Sequence, residues 1–459
     1  MIVEAGGRGL TATAQGPELH ARCPAPPEGK RVPSMVILPV GGFLIRNLRR
    51  LQEYEDIVKL RMGLDTVLLV TSPALIQEVL VTKQRDFVKG RFLQNTKKVF
   101  GEGLLTSEAD FHHRQRRLIQ PAFNHERISA YAETMMENEE RVTGSWTDGL
   151  VVDVHEEMTR LTMSIIAKCL FDRDVWSSAR TMSEDLTNVI EYFEVLSSPV
   201  ARLLEALPSA RKYHRSVARV DEFVYRMIEE RRAMPADAGD LMSTLLAARD
   251  RDGSAMADSQ VRDEVLITFA AGHETTSNAL SWTWYLLSQN PAVEAKLHEE
   301  VDAVLGDGRP APDDVPRLGY ATRVLTESMR LYPPAWILVR QAVNDVSLGG
   351  YLVPRGSSLV VSQYVAHHDP RLFADPEAFE PDRWTDAMRA ALPRFAYFPF
   401  GGGARSCIGE PFAWMEGVLL LASISRKWSM ARLGGRKVEM LPRITLRPKG
   451  GLQMRLTRR

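Results

Sequence analysis

The segment from Asp258 to Asn290 constrains the fold most, because its pattern predicts one uninterrupted helix of about thirty residues. Ser259 is a suitable N-cap residue, and Pro291 follows the segment. At about 1.5 Å per residue such a helix is on the order of 45 Å long, enough to cross a whole domain. Its middle, Val265 to Ala271, is almost continuously apolar and should be buried. The sequence therefore predicts a fold organised around one long buried helix.

The remaining sequence is also dominated by helical periodicity, with short strands near both ends of the chain. Further helices are predicted at Leu48–Leu60, Ala74–Thr82, Ala218–Arg232, Pro291–Leu305, Ala321–Leu331 and from Gly409 to about Trp428. Strands are predicted at Val67–Val70, Val346–Leu348, Tyr351–Val353 and Leu359–Tyr364, with a weakly alternating hairpin between Ile444 and Leu456. The fold class is therefore mainly α with small β-sheets.

A glycine-rich loop, Phe400–Gly409, contains a single cysteine, Cys407. Its three glycines permit positive φ angles and a close approach to a flat ligand. Cys407 precedes a predicted helix, whose free N–H groups and positive end stabilise a thiolate. Arg405 is within reach of a carboxylate on such a ligand. On the cysteine alone, the alternative is a small buried side chain in a glycine turn.

The loop resembles the haem-binding loop of the cytochrome P450 family, whose pattern is Phe-x-x-Gly-x-Arg-x-Cys-x-Gly. Phe400, Gly403, Arg405, Cys407 and Gly409 match every fixed position. The resemblance implies haem b with Cys407 as the axial thiolate ligand, a ligand that favours O–O cleavage.

The same resemblance, to a bacterial-type member, implies the architecture. It is the cytochrome P450 fold, a helix-rich prism with a long central helix over the haem. Residues 35–459 are expected to form a single catalytic domain, and the Gly- and Pro-rich residues 1–34 a flexible leader.

The middle of the long helix contains Ala271-Gly-His-Glu-Thr-Thr276. Ala271 and the following glycine would let a flat ligand lie against the helix. The motif resembles the family's acid–alcohol pair, which implies that Thr275 hydrogen-bonds dioxygen and that Glu274 relays protons. The alternative is that the threonines bond back to the helix and Glu274 pairs with an arginine elsewhere. The family leaves the His273 position as a spacer.

Three charged residues resemble the family's structural ion network. Glu327 and Arg330 form the Glu-x-x-Arg motif, and Arg383 follows in Phe379–Trp384. The resemblance implies a buried network that braces the haem loop. By itself, the Glu327–Arg330 spacing equally predicts a solvated ion pair of little effect on stability.

Basic residues supply the expected contacts to the haem propionates. His112 and Arg116 stand where the family often has Trp-x-x-x-Arg, and Arg340 resembles a further propionate contact. Arg114 and Arg117 are expected on a solvated face. The predicted cofactor-binding residues are His112, Arg116, Ala271, Arg340, Phe400, Arg405, Cys407 and Gly409.

An apolar substrate pocket is predicted from several segments, although each member is equally suited to the core. The candidates are Phe92, Leu104, Leu105, Leu266, Phe269, Ala270, Trp336, Ile337 and Leu338. Such a lining favours a fatty acid, terpenoid, steroid or polyketide.

Composition limits the partners and the compartment. Lys plus Arg and Asp plus Glu both number 58, which argues against nucleic acid as a partner. Cys23, Cys169 and Cys407 lie far apart, which favours a reducing, cytoplasmic compartment. No apolar run is long enough for a membrane anchor, and a monomer is expected.

The resemblance implies a monooxygenase that uses dioxygen to hydroxylate or epoxidise its substrate. The sequence has no glycine-rich dinucleotide motif in a strand–turn–helix context. Electrons are therefore expected from a ferredoxin or flavodoxin with its reductase, and from NAD(P)H only indirectly. The alternatives are a peroxide-driven haem-thiolate enzyme, an isomerase, and a non-catalytic haem sensor or electron carrier.

Overall fold

Helices make up most of the structure, a computed structural model, which confirms the predicted fold class. It describes residues 56–62, 65–196, 208–234, 238–250, 253–435 and 437–459, together with Ile45 and Arg49. The leader predicted at residues 1–34 lies outside the described residues. Within the described ranges, no helix combines the length and the apolar character needed to cross a bilayer.

The helices vary from single turns to one of 30 residues. They are α1 (Pro73–Gln77), α2 (Arg91–Asn95), α3 (Lys97–Phe100), α4 (Ala109–Ile119), α5 (His125–Thr143), α6 (Val154–Phe171), α7 (Ala179–Leu196), α8 (Pro208–Ala233), α9 (Leu241–Ala247), α10 (Asp258–Leu287), α11 (Pro291–Leu305), α12 (Gly319–Leu331), α13 (Gln363–His367), α14 (Asp386–Ala391) and α15 (Glu410–Lys427).

The strands form small sheets. They are β1 (Ile57–Met62), β2 (Asp65–Val70), β3 (Phe87–Lys89), β4 (Val151–Asp153), β5 (Leu338–Ala342), β6 (Val346–Leu348), β7 (Tyr351–Val353), β8 (Ser358–Val361), β9 (Trp428–Arg432), β10 (Met440–Pro442), β11 (Leu446–Pro448) and β12 (Gln453–Arg458). One sheet has the order β1-β2-β8-β5-β3, with β2 and β8 parallel, and another has the order β4-β12-β9. The hairpins β6–β7 and β10–β11 complete the sheet structure described.

The long helix α10 passes through the main hydrophobic core, and Val265–Ile267 and Phe269 of its apolar middle are buried as predicted. The prediction is wrong at the end of that stretch, where Ala270 is partly exposed and Ala271 is exposed. It packs against α6, α8, α12 and α15. Near its carboxyl end Trp282 is fully buried and stacks on Tyr332, with ring centroids 4.0 Å apart. Because neighbouring helices cover α10 on several sides, any part of it that remains exposed is informative about a site.

A second hydrophobic cluster lies on the sheet that contains β2 and β8. Leu68 and Val70 of β2 pack there with Ile76 of α1 and Val361 of β8. This sheet positions β3 and β5, both of which carry basic residues of the site described below.

Three secondary-structure predictions are wrong in part. Residues 57–60, predicted as helix, form part of β1, whose pairing with β2 outweighs local propensity. The strand predicted at 359–364 ends at Val361, because the Ser362 hydroxyl accepts a hydrogen bond from Val365 N and caps α13. The predicted terminal hairpin is split, since β11 pairs with β10 whereas β12 pairs with β9 and β4.

Candidate active site

The glycine-rich loop turns tightly before α15 and presents Cys407. Cys407 N donates a hydrogen bond to Phe400 O at 2.9 Å, which closes the loop. Gly403 has a φ of +69°, and a Cβ there would lie 2.0 Å from Leu80 O. Position 403 therefore requires glycine for both its conformation and its packing.

The Cys407 side chain is exposed, although enough protein surrounds it to desolvate the thiol. A side chain that faces a recess inside the protein is both accessible to a small molecule and surrounded by protein atoms. Burial raises the pKa of the Cys407 thiol, against the lowering effect of the backbone N–H groups of Gly409 and Glu410. The helix end alone thus does not secure a thiolate here, and a metal cation bound to the sulfur would supply the missing stabilisation.

One short stretch in the middle of α10 is open. Ala271 is exposed and Thr275 is partly exposed, one turn apart on the same face of a helix whose residues are mostly buried. The Thr275 hydroxyl donates to Ala271 O at 2.8 Å, and the helix continues without a break. The sequence suggests that Gly272 leaves room for a ligand, but this glycine packs against α6 instead. A Cβ at position 272 would lie 2.6 Å from Ile166 Cδ1 of that helix.

Glu274 is turned away from this open face and is buried. Its Oε1 lies 2.7 Å from the Arg447 guanidinium and accepts a hydrogen bond from the Thr445 hydroxyl. Burial raises the pKa of Glu274, but Arg447 and Thr445 more than offset it and hold that pKa below its usual value. The residue is therefore an ionised carboxylate paired with Arg447, a partner that was not predicted from the sequence.

The predicted propionate residues converge on the cysteine loop. Arg116 Nη1 donates to Ser406 O at 2.7 Å, and Arg405 Nη1 donates to Ser107 O at 2.6 Å. His112 is buried, and its Nδ1 has no hydrogen-bond partner within the described part of the chain. Burial and the nearby Arg405 lower the pKa of His112 to about 3, so the ring is neutral.

Arg340 of β5 joins the same positive region. Burial and Arg405 lower the pKa of Arg340 to about 10, while Glu108 partly offsets them. Glu108 also forms an ion pair with Arg405. Among the residues that the structure describes, Arg116, Arg340 and Arg405 thus lie near one carboxylate, that of Glu108, which leaves net positive charge.

These features fit a flat, dianionic metal-binding group such as haem. The exposed sulfur of Cys407 is a soft metal ligand. The excess positive charge and the orphaned His112 Nδ1 suit two carboxylates. The small side chain of Ala271 leaves space against α10.

The structure brings Glu327, Arg330 and Arg383 together in a buried network. Arg330 Nε and Nη2 each donate to Glu327 at 2.8 Å, and Arg383 Nε lies 2.9 Å from Glu327 Oε1. Trp384 Nε1 also donates to Glu327 Oε2 at 2.8 Å. Since Glu327 and Arg330 are wholly buried, the solvated ion pair considered from the sequence is not what forms.

The network reaches the cysteine loop through His367. Arg330 Nη1 donates to His367 O at 2.9 Å, and His367 Nε2 accepts from Phe398 N at 3.0 Å. Phe398 stands two residues before Phe400. Neither His367 nor Trp384 was predicted from the sequence to belong to this network, and the tryptophan beside Arg383 was the available signal.

The predicted pocket residues separate by burial. Leu104, Ala270, Ile337 and Leu338 are partly exposed, and Leu105 is exposed. The side chain of Phe92 lies outside the described part of the structure. The fully buried candidates, which occupy the core, are Leu266, Phe269 and Trp336.

Specific contacts hold two of these core side chains. Phe269 stacks on Phe171 with centroids 4.4 Å apart, and Trp336 Nε1 donates to Arg443 O at 2.7 Å. Neither presents surface that a ligand can contact, so the core alternative holds for them.

Arg114 and Arg117 of α4 both pair with Asp250, at 2.6 Å and 3.2 Å. Arg117 remains half-exposed and borders a surface cleft of about 420 Å³ that Arg116 and Asn124 also line. Because Arg116 contacts the residue before Cys407, this cleft lies close to the cysteine loop.

Comparisons with known proteins agree with the site. The family model for cytochrome P450 matches residues 26–454. The chain is 39% identical over 421 residues to cyclooctatin synthase of Streptomyces melanosporofaciens, covering 89% of this chain and 92% of the relative. It is 33% identical over 432 residues to pentalenene oxygenase of Streptomyces avermitilis, covering 92% and 96%.

A solved structure shows the same architecture. The crystal structure of the cytochrome P450DA heme domain superposes with a TM-score of 0.84 at 29% identity. The match covers 95% of this chain and 98% of that chain. With the family pattern, the relatives and the fold in agreement, the chain belongs to the cytochrome P450 family of haem-dependent monooxygenases.

Proposed function

We propose that this enzyme hydroxylates or epoxidises a cyclic terpenoid hydrocarbon or its alcohol. The observation that carries the proposal is full-length similarity to enzymes named for such compounds. Cyclooctat-9-en-7-ol 5-monooxygenase of Streptomyces melanosporofaciens is 34% identical over 435 residues, and cyclooctatin synthase and pentalenene oxygenase are described above. Among the substrate classes that the sequence leaves open, these relatives favour the terpenoid.

The lining residues support an apolar substrate. Leu104, Ile337 and Leu338 are partly exposed, and we expect them to line a pocket together with the open face of α10 that Ala271 and Thr275 form. An apolar compound gains about 25 cal/mol for each Å² of its surface that leaves water. The Thr275 hydroxyl supplies a polar group on this face.

Residues of this chain would hold the haem and supply protons. Cys407 would ligate the iron, while His112, Arg116, Arg340 and Arg405 would hold the propionates. When bound, the haem supplies dioxygen activation and oxygen transfer, and the protein supplies orientation and proton supply. Glu274 would relay protons toward Thr275, for which its carboxylate must first leave Arg447.

A separate protein would supply the electrons. The exposed positive charge of Arg117, beside the cleft near the cysteine loop, would attract an acidic ferredoxin or flavodoxin.

The test is a spectral screen of the purified, haem-loaded protein against cyclic terpenes, fatty acids, steroids and polyketides. A terpenoid should shift the iron toward high spin and then be oxidised when a surrogate ferredoxin and its reductase are added. High-spin shifts with fatty acids alone would contradict the terpenoid assignment. Equal turnover with peroxide alone would favour the peroxide-driven alternative, and no turnover with any compound would favour a sensor or electron carrier.

A further inference from the structure

The backbone N–H and C=O of Leu104, in the loop before α4, are both hydrogen-bonded by buried side chains. Leu104 N donates to Glu264 Oε2 at 2.8 Å, and Leu104 O accepts from Lys89 Nζ at 3.2 Å. Glu264 comes from α10 and Lys89 from the end of β3, and both side chains are buried. A buried acid and a buried base thus fix the N–H and the C=O of the same residue.

The surrounding loop lies flat against α10. Glu102 N donates to Asp263 Oδ2 at 2.8 Å. A Cβ on Gly103 would lie 2.6 Å from Ile267 Cδ1, so the backbone touches the helix there. Loop 101–106 therefore has little freedom to move along α10 while these contacts persist.

The loop contacts α10 on the same face that carries Ala271 and Thr275 of the candidate active site. Glu264, Ile267, Ala271 and Thr275 are spaced by three and four residues and share one face of α10. The loop accordingly lies one to two turns from the exposed Ala271. The apolar side chains of this loop are Leu104 and Leu105, and both keep exposed surface with which a ligand could make contact.

Lys89 also ties the loop to the cysteine side of the site. Its Nζ donates to Leu105 O and, at 3.5 Å, to Ser107 O. Ser107 O accepts in turn from Arg405. Loop 101–106 is thus attached to α10 at one end, and at the other end Ser107, the next residue, is attached to an arginine of the cysteine loop.

We propose that Glu264 and Lys89 are positioning residues that determine substrate selectivity, because together they fix the Leu104–Leu105 wall of the substrate pocket. This inference rests on the proposed function, in which that wall contacts the substrate. Neither residue needs to touch the substrate itself.

Energetics support a specific role for the pair. Burial raises the pKa of Glu264 to about 8 and lowers the pKa of Lys89 to about 6. Ionisable groups are costly to bury, and an apolar residue would fill either position more cheaply. An apolar residue would not provide the hydrogen bonds that Glu264 and Lys89 make to the N–H and the C=O of Leu104.

The experiment compares two azoles that bind haem iron, the bulky clotrimazole and the small imidazole, by spectral titration of haem-loaded protein. If the proposal holds, clotrimazole should contact the Leu104–Leu105 wall, whereas the much smaller imidazole should contact chiefly the iron. The Glu264→Leu variant should lose about tenfold in clotrimazole affinity and less than twofold in imidazole affinity. Lys89→Met should shift the ratio of the two affinities in the same direction. Glu264→Gln, which keeps an acceptor oxygen, should stay within twofold of wild type.

The matched control is Glu139→Leu, which removes another buried carboxylate, bonded to the Ser423 hydroxyl on α15. It should lower thermal stability without changing the affinity ratio. Equal losses for both azoles in Glu264→Leu, or none, would overturn the proposal.

Hydrogen exchange of the wild type supplies a test that needs no variant. The Leu104 amide should exchange slowly, and exchange as fast as in a free loop would also overturn the proposal. A wild type that binds both azoles but oxidises no terpenoid would contradict only the proposed function.

Discussion

Glu274 is paired with Arg447 at 2.7 Å, while its neighbour Thr275 bonds back to Ala271 O in the same helix. These are the contacts that the alternative interpretation of the sequence motif predicts. They are compatible with proton relay only if the carboxylate moves from Arg447 toward the open face of α10. Arg447 therefore affects both the ionisation and the position of the Glu274 carboxylate.

Replacement of Arg447 by leucine should be strongly destabilising, because it leaves the buried Glu274 carboxylate without its cation. The free energy of unfolding should fall by about 3–5 kcal/mol in denaturant titrations at pH 7. The double variant Arg447→Leu, Glu274→Gln should recover most of this loss, since the charge is gone. An equal loss in both variants would show that the ion pair is not the cause.

Replacement of Cys407 by serine should abolish the strongly red-shifted Soret band of the reduced, carbon monoxide-bound protein, because a hydroxyl is a poor substitute for an axial thiolate. Cys169→Ser is the control, since Cys169 is buried in the core and makes only a weak contact with Tyr131 O. That variant should keep the band. Retention of the band without the sulfur at position 407 would refute the ligand assignment.

Charge reversal at Arg117 should slow reduction by a ferredoxin at low ionic strength, by about tenfold, because the half-exposed guanidinium would no longer attract the acidic partner. The difference from wild type should shrink as salt is added. Arg180→Glu is the control, because Arg180 is an exposed arginine on α7, outside the cleft near the cysteine loop. Equal slowing in both variants would point to net charge instead of a docking site.

Replacement of Glu416 by glutamine should change how stability depends on pH. Burial on α15 raises the pKa of Glu416 from 4.5 to about 8. Between these two pH values the folded protein retains a proton on Glu416 that the unfolded chain releases. The contribution of the protonated Glu416 to the free energy of unfolding is therefore complete below pH 4.5 and is lost as the pH rises to about 8. Relative to the variant, wild type should lose about 1.4 kcal/mol of unfolding free energy per pH unit in this window. A difference that stays constant with pH would contradict the assignment.

Local patterns predicted the parts of the site that lie close together in the chain. The ten residues of the cysteine loop and the Glu-x-x-Arg spacing of Glu327 and Arg330 are such parts, since each forms within one turn or one helix. The long helix was predictable for the same reason, because its apolar period and flanking cap and proline are local signals. The Leu48–Leu60 prediction failed over 57–60 because pairing with β2, not local periodicity, selects β1.

Partners that are distant in sequence were beyond such prediction. The Arg447 partner of Glu274 lies 173 positions away, and the Glu264 partner of Leu104 lies 160 positions away. His367, which connects the ion network to the cysteine loop, belongs to no motif that the sequence displays.

The family, the central helix and the cysteine that would ligate iron could be predicted from the sequence, because all three rest on residues at fixed short spacings. Which ionisable groups are paired, which predicted pocket residues keep exposed surface and which lie in the core became clear only from the folded structure. The physical reason is that burial and charge pairing depend on contacts between distant segments, and these contacts exist only once the chain has folded.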